Sequence, residues 1–283
     1  MKYIILKAIF LLTIITVQAE DTYWEKEMVR NYVHNSELQR RWAWSFLACH
    51  LKNLNGDEKI LDIGCGDGKI TADISKFIPQ GTVTGIDPST DMIRWAQKQF
   101  AKVEYPNLGF QLGGFIEHKA QGSFDIIFSN CALQHCPDQQ QAIQNIASLL
   151  KSGGKALILV PAIDNLPFKQ ARKNIQSLPK WSIYWSNAVP RKFLEIKEYE
   201  KIFSEAGFTV KVSKRLTVDP FIDRQELMSF FIGTFTPAVP TDLLEQFYNE
   251  LFDEYLRLCP EALQENGVIE ARFSTIEIEA VKQ

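Results

Sequence analysis

Nine consecutive residues, Ile60-Leu61-Asp62-Ile63-Gly64-Cys65-Gly66-Asp67-Gly68, carry the most specific chemistry in the chain. A short apolar run holding one carboxylate opens into three glycines at alternate positions. Glycine adopts positive φ without strain and lets a ligand approach the backbone closely. The helix that follows such a loop offers unpaired N–H groups and a positive dipole end. Nineteen residues after Gly68, a second apolar run, Gly81 to Ile86, ends at Asp87. A carboxylate so placed accepts two hydrogen bonds from ribose hydroxyls. The third glycine comes one residue too early for the G-x-G-x-x-G spacing that seats a pyrophosphate, and no lysine–serine pair marks a phosphate-gripping loop. Asp62 also suits a cation better than a diphosphate. Loop and carboxylates together describe a pocket for a nucleoside bearing positive charge; the plainer reading makes Asp62 and Asp87 strand-end caps.

Such residues need a sheet to hold them. Lys59 to Ile63 reads as a short buried strand and Lys69 to Phe77 as a helix; Gly81 to Ile86 and Asp91 to Phe100 repeat the pair. Leu108 to Leu112 and Phe124 to Phe128 are two more strands. The helix expected over Gln139 to Leu150 stops at Ser152-Gly153-Gly154, and Ala156 to Val160 is a fifth strand. Strands alternating with helices imply βαβ units and a parallel sheet covered on both faces, an α/β fold. Further on, Ile196 to Ala206 is a helix stopped by Gly207, and Phe208 to Leu216 resembles a strand. Ser274 to Val281 alternates, with Ile276, Ile278 and Ala280 inward and Glu277 and Glu279 outward, which predicts an edge or antiparallel strand. Upstream, Leu38, Trp42, Phe46, Leu47 and Leu51 return at helical spacing.

Two stretches break the alternation, at about residues 164–194 and 221–265. From Asn165 to Leu194 the first carries Lys169, Arg172, Lys173, Lys180, Arg191 and Lys192 with no acidic residue, interleaved with Phe168, Trp181, Tyr184, Trp185 and Phe193. From Asp223 onward the chain is acidic, with helices expected over Arg224 to Ile232 and Asp242 to Leu258. The basic stretch reads either as a solvated lid or as a cover that draws in an anion.

S-adenosylmethionine has a ribose, an ammonium and a sulfonium, as the pocket requires. At this point the chain resembles class I S-adenosylmethionine-dependent methyltransferases, in particular the group containing the trans-aconitate, malonyl-carrier-protein and juvenile-hormone-acid methyltransferases. Leu61 to Gly68 matches their glycine loop, and Gly85-Ile86-Asp87-Pro88-Ser89 their ribose-binding strand end. Ser129-Asn130-Cys131-Ala132-Leu133-Gln134-His135-Cys136-Pro137-Asp138 resembles the motif after their fourth strand. Tyr32-Val33-His34-Asn35-Ser36 with Gln39 resembles the N-terminal segment that folds over the cofactor. The resemblance implies a Rossmann-like, seven-stranded, mostly parallel sheet with helices on both faces, an antiparallel last strand and helical cap inserts. It implies cofactor contacts from Asp62, Gly64, Cys65, Gly66, Gly68, Asp87, Pro88, Gly114, Asn130, Tyr32 and Gln39, with Gln134 and His135 orienting the acceptor. There are two departures in the motifs. Gly114 stands where the family has an aspartate on the adenine amino group, leaving the Phe115 N–H as a backbone donor. His135 replaces the usual tryptophan.

The rest of the chain bounds these readings. Its 283 residues carry 31 basic and 34 acidic side chains, a net charge of −3, with 46% hydrophobic and 23% charged residues. That balance excludes a disordered chain, a collagen-like repeat and a multi-span membrane protein, and it lacks the broad basic footprint of a nucleic-acid coat. Five cysteines without a CxxC pair suggest neither a disulfide scaffold nor a zinc site, and no metal is expected. Met1 to Ala19 has Lys2 and Lys7, an apolar stretch from Ala8 to Val17 and a small-residue exit, the layout of a secretory signal peptide; an uncleaved membrane anchor is the alternative. Residues 20–56 are then cap helices and 57–283 the methyltransferase domain. Export would place the chain in a periplasmic or extracellular space, at odds with a cytosolic cofactor. The reading reached is O-methylation of a small or carrier-bound acid. A catalytically silent exported protein and a nicotinamide-dependent dehydrogenase are the alternatives.

Overall fold

The computed structural model describes residues 26–118, 124–162, 166–184, 192–234 and 239–283. The expected signal peptide, Trp185 and Arg191 lie outside the described residues. Two N-terminal helices, α1 (Lys26–Asn35) and α2 (Glu37–Leu51), lead into an alternating series. It runs β1 (Lys59–Ile63), α3 (Lys69–Ser75), β2 (Thr82–Asp87), α4 (Thr90–Gln99), β3 (Leu108–Leu112) and β4 (Phe124–Asn130). A 3₁₀ turn at Leu133–His135 then precedes α5 (Gln139–Leu149) and β5 (Leu150–Pro161). Ser89 caps α4 by accepting from Met92 N–H, and Asp138 caps α5 by accepting from Gln141 N–H, as serine and aspartate do at helix starts. The first insert holds α6 (Pro167–Gln176) and the short α7 (Pro179–Ser182); α8 (Ile196–Glu205) and β6 (Phe208–Phe221) return to the sheet. The second insert holds α9 (Arg224–Thr234) and α10 (Leu244–Leu258), and β7 (Ile269–Lys282) ends the chain.

The seven strands lie in the order β3-β2-β1-β4-β5-β7-β6. β1 to β5 pair in parallel, and β7 runs antiparallel to both β5 and β6. Period-two alternation sends Ile60, Val83 and Phe128 into the core beneath α2, α3 and α4. Leu61, Ile127 and Ile158 enter the opposite core with Ile143 of α5 and Phe203 of α8. The sheet is thus covered on both faces, as its continuous apolar strands require. Strand order reverses between β1 and β4, and the crevice beyond the carboxyl ends of such a pair is where open α/β sheets bind ligands.

Three expectations need correction. β7 is antiparallel but internal, flanked by β5 and β6, and Glu277 is buried at 7% exposure because α2 covers that face. Arg215 answers its charge at 2.5 Å. Ser152-Gly153-Gly154 does not stop α5, which ends at Leu149; β5 already starts at Leu150, and the glycines sit where its pairing with β4 shifts register, Gly153 at φ 77°. The two inserts of opposite charge meet each other, through an ion pair and an aromatic core. Lys180 pairs with Glu250 at 2.7 Å, and Asn174 bonds Glu254. Phe168 stacks on Phe231 at 4.3 Å between ring centres, and Trp181 meets Phe247 edge-on at 5.3 Å. Those two aromatics of the basic stretch are cap core, and the two inserts pack as one cap.

Candidate cofactor site

At the carboxyl ends of β1 and β4 lies a narrow cleft, roofed from the N-terminal helices and the residue between them by Tyr32, Ser36 and Arg40. Of the residues expected to contact a cofactor, Tyr32, Asp62, Gly64, Cys65 and Asn130 line it. Gly66 completes the loop at φ 52°, where a Cβ would stand 3.3 Å from the Tyr32 ring. Gly68, at φ 79°, precedes α3. Asp87 braces the loop from behind: Gly66 N–H donates to its Oδ2 at 3.0 Å and Ser89 N–H to its Oδ1 at 2.9 Å. Each carboxylate oxygen keeps a lone pair for a further donor. Pro88 is exposed beside it.

Gly66, Gly68, Asp87 and Pro88 lie outside the cleft lining, as do the remaining expected residues. Gln39 is buried behind Asn130, whose Nδ2 donates to the Gln39 carbonyl at 3.2 Å; Gln39 Oε1 has no partner. Gly114 is buried in the loop after β3. Gln134 is buried too, its Nε2 donating to the Cys131 carbonyl and its Oε1 without a partner. His135, next in sequence, is exposed. The pair expected to orient an acceptor is therefore divided, one side chain inside and one at the surface. Cys131 itself sits at φ 53°, the one non-glycine at positive φ among the described residues.

Sequence reasoning missed a polar network that fastens the roof to the loop. Lys69 Nζ donates to the Val33 carbonyl and to Ser36 Oγ at 2.8 Å and pairs with Asp67 at 3.0 Å; Ser36 Oγ donates to Asp67 at 2.7 Å. Arg40 binds Asp73 of α3 at 2.6 Å. The available signal was the charged pair Asp67 and Lys69 flanking Gly68 at a helix start.

Burial dominates the electrostatics. It lifts Asp62 from 3.8 to about 7, Asp87 and Asp67 adding to the rise while the Thr71 hydroxyl, donating at 2.7 Å, opposes it. It lifts Asp87 to about 6 against the N–H groups of Ser89 and Gly66. Burial and the neighbouring carboxylates also raise the Tyr32 phenol and the Cys65 thiol well above their ordinary values, so both stay protonated and Cys65 is no nucleophile. With Lys69 tied to Asp67 and Arg40 to Asp73, Asp62 in the lining, with Asp87 behind it, gives the cleft net negative character. It fits an adenosyl group carrying positive charge and disfavours the diphosphate of a nicotinamide cofactor.

Comparison with known proteins agrees. Residues 54–207 match the family described as a methyltransferase domain. Juvenile hormone acid O-methyltransferase of Bombyx mori is 26% identical over 276 residues, covering 89% of this chain and 96% of its own length. Trans-aconitate 2-methyltransferase of Escherichia coli is 27% identical over 252 residues, 88% of this chain and 95% of its own. The YcgJ protein of Bacillus subtilis shares the fold with a TM-score of 0.61 at 21% identity, over 84% of this chain and 98% of that one. So does phosphoethanolamine N-methyltransferase 2 of Haemonchus contortus, solved with S-adenosylmethionine, at a TM-score of 0.55 and 19% identity, over 86% of this chain and 52% of that one. More than half of the sequence lies inside the matched domain, and the chain therefore belongs to the methyltransferase domain family as an S-adenosylmethionine-dependent enzyme.

Proposed function

We propose that the chain transfers a methyl group from S-adenosylmethionine to a carboxylate oxygen of an acidic small molecule or carrier-bound acid. The observation that carries this reading is the extent of the likeness to two methyltransferases named for acids. At 88% and 89% of the chain it must reach beyond residues 54–207 into the caps. The cofactor supplies an electrophilic methyl group on sulfonium. Asp87 holds the sugar, Asp62 faces positive charge, and the glycine backbone lets the donor lie close. Tyr32 covers the loop and keeps water from it. The remaining task is to hold acceptor and donor at about 3–3.5 Å in a dry pocket. A carboxylate is ionised at neutral pH and needs no base. This suits a site whose Tyr32 and Cys65 are kept protonated and whose His135 faces solvent.

Incubation with methyl-labelled cofactor and a panel of di- and tricarboxylic and long-chain acids is expected to yield label released by mild base as methanol, the mark of an ester. Base-stable label would overturn the carboxylate reading. Turnover with none of the acids, in protein that binds S-adenosylhomocysteine, would overturn it in favour of a silent binding protein.

Gly114→Asp should restore the adenine contact. Its Cβ would meet only the flexible end of Glu117, 2.6 Å away. One added hydrogen bond should strengthen cofactor binding about threefold to tenfold. Calorimetry reads this directly; unchanged or weaker binding would mean that the adenine edge lies elsewhere.

A further inference from the structure

Gly233 lies in α9, outside the matched domain and away from the cleft lining. A Cβ on it would stand 2.9 Å from the carbonyl oxygen of Asn31 and 3.0 Å from the Cβ of Asn35, both on α1. The two helices thus cross so closely that only hydrogen fits between them, and the obstruction is backbone that no rotamer change can remove. α9 is held fast from behind. Phe231 stacks on Phe168, Phe230 meets Trp42 edge-on at 6.4 Å, and Tyr248 OH donates to the Phe231 carbonyl at 3.2 Å. On its other side α1 is pinned to the cofactor domain, where Val29 and Val33 pack on Met92 and Lys69 Nζ holds the Val33 carbonyl. Asn31 adjoins Tyr32, whose ring lies over Gly66.

We infer that Gly233 is a positioning residue for cofactor binding: by letting α9 seat against α1 it sets Tyr32 over the glycine loop. The second insert thereby tunes affinity for the adenosyl ligand at a distance. This rests on the reading of the cleft as the cofactor site.

The test is calorimetric titration of the full chain with S-adenosylhomocysteine, using Gly233→Ala, Gly233→Val, Tyr32→Ala and the Val/Ala double variant. The melting temperature of each ligand-free protein separates lost affinity from lost fold. Displacing a positioning element by a fraction of an ångström is expected to raise Kd about threefold in the alanine variant and about tenfold or more in the valine variant. In the Tyr32→Ala background the valine substitution should change Kd less than about twofold, because the two changes act through one contact. Wild-type affinity in folded Gly233 variants, or an equal loss with and without Tyr32, overturns the inference; if the valine protein does not fold, the alanine variant and its own Tyr32→Ala double decide. Wild-type protein that fails to bind S-adenosylhomocysteine would instead overturn the cofactor reading itself.

Discussion

Replacing Asp87 by alanine is expected to weaken cofactor binding about a hundredfold, since hydrogen bonds to a charged group contribute roughly 1.5–3 kcal/mol each. Two separate losses combine. On the role proposed for Asp87 the sugar would lose its carboxylate, and the protein loses the acceptor that fixes Gly66 N–H at 3.0 Å and Ser89 N–H at 2.9 Å. Asp87→Asn keeps one acceptor oxygen and should fall between wild type and alanine. Calorimetric titration with S-adenosylhomocysteine distinguishes the three proteins, and equal affinity in all of them would remove Asp87 from the site.

The second large effect is on pH. Buried Asp62 ionises at about 7 in the folded, ligand-free chain against an ordinary value of 3.8. A cationic ligand selects the ionised form, so protonation competes with binding. If the bound carboxylate stays ionised down to pH 5, affinity should fall about a hundredfold between pH 8 and pH 5, each pKa unit being tenfold. Stability of the ligand-free chain runs the other way. Asp62 and Asp87 bind protons more tightly folded than unfolded. Their contribution to stability is complete below about pH 4 and is lost as pH rises through their folded values. Thermal shift by S-adenosylmethionine should therefore be small at pH 5 and large at pH 8, and Asp62→Asn should flatten the profile. A shift independent of pH in the wild-type protein would exclude Asp62 as the partner of positive charge.

What the sequence made legible was local. β1 and β3 have the predicted bounds, and β2, α3 and α4 agree within a residue or two, because each is a short buried segment between strong turn signals. The glycine loop and Asp87 were legible for the same reason: their chemistry is written in contiguous residues. Contacts between distant segments were not. Ser36 and Lys69 meet across thirty-three positions, and Trp42 donates to Asp219 across 177. Glu277 looked solvent-facing because its alternation with Ile276 and Ile278 is real; the helix that covers it is α2, encoded at the other end of the chain. The basic and acidic inserts, read singly, suggested an external anion. In three dimensions the inserts pack on each other through an aromatic core and the Lys180–Glu250 pair.

β6 is one of the sheet's two outer strands, fourteen residues long, with Leu216 and Val218 at 57% and 50% exposure. A free strand edge of that length invites another chain to add itself by backbone hydrogen bonding. Lys211 and Lys214 place charged side chains along the strand, Lys211 paired with Glu279 at 3.1 Å, and Pro220 offers no N–H to extend a ribbon. Charge and a missing N–H at such an edge are features that discourage another chain from adding itself there.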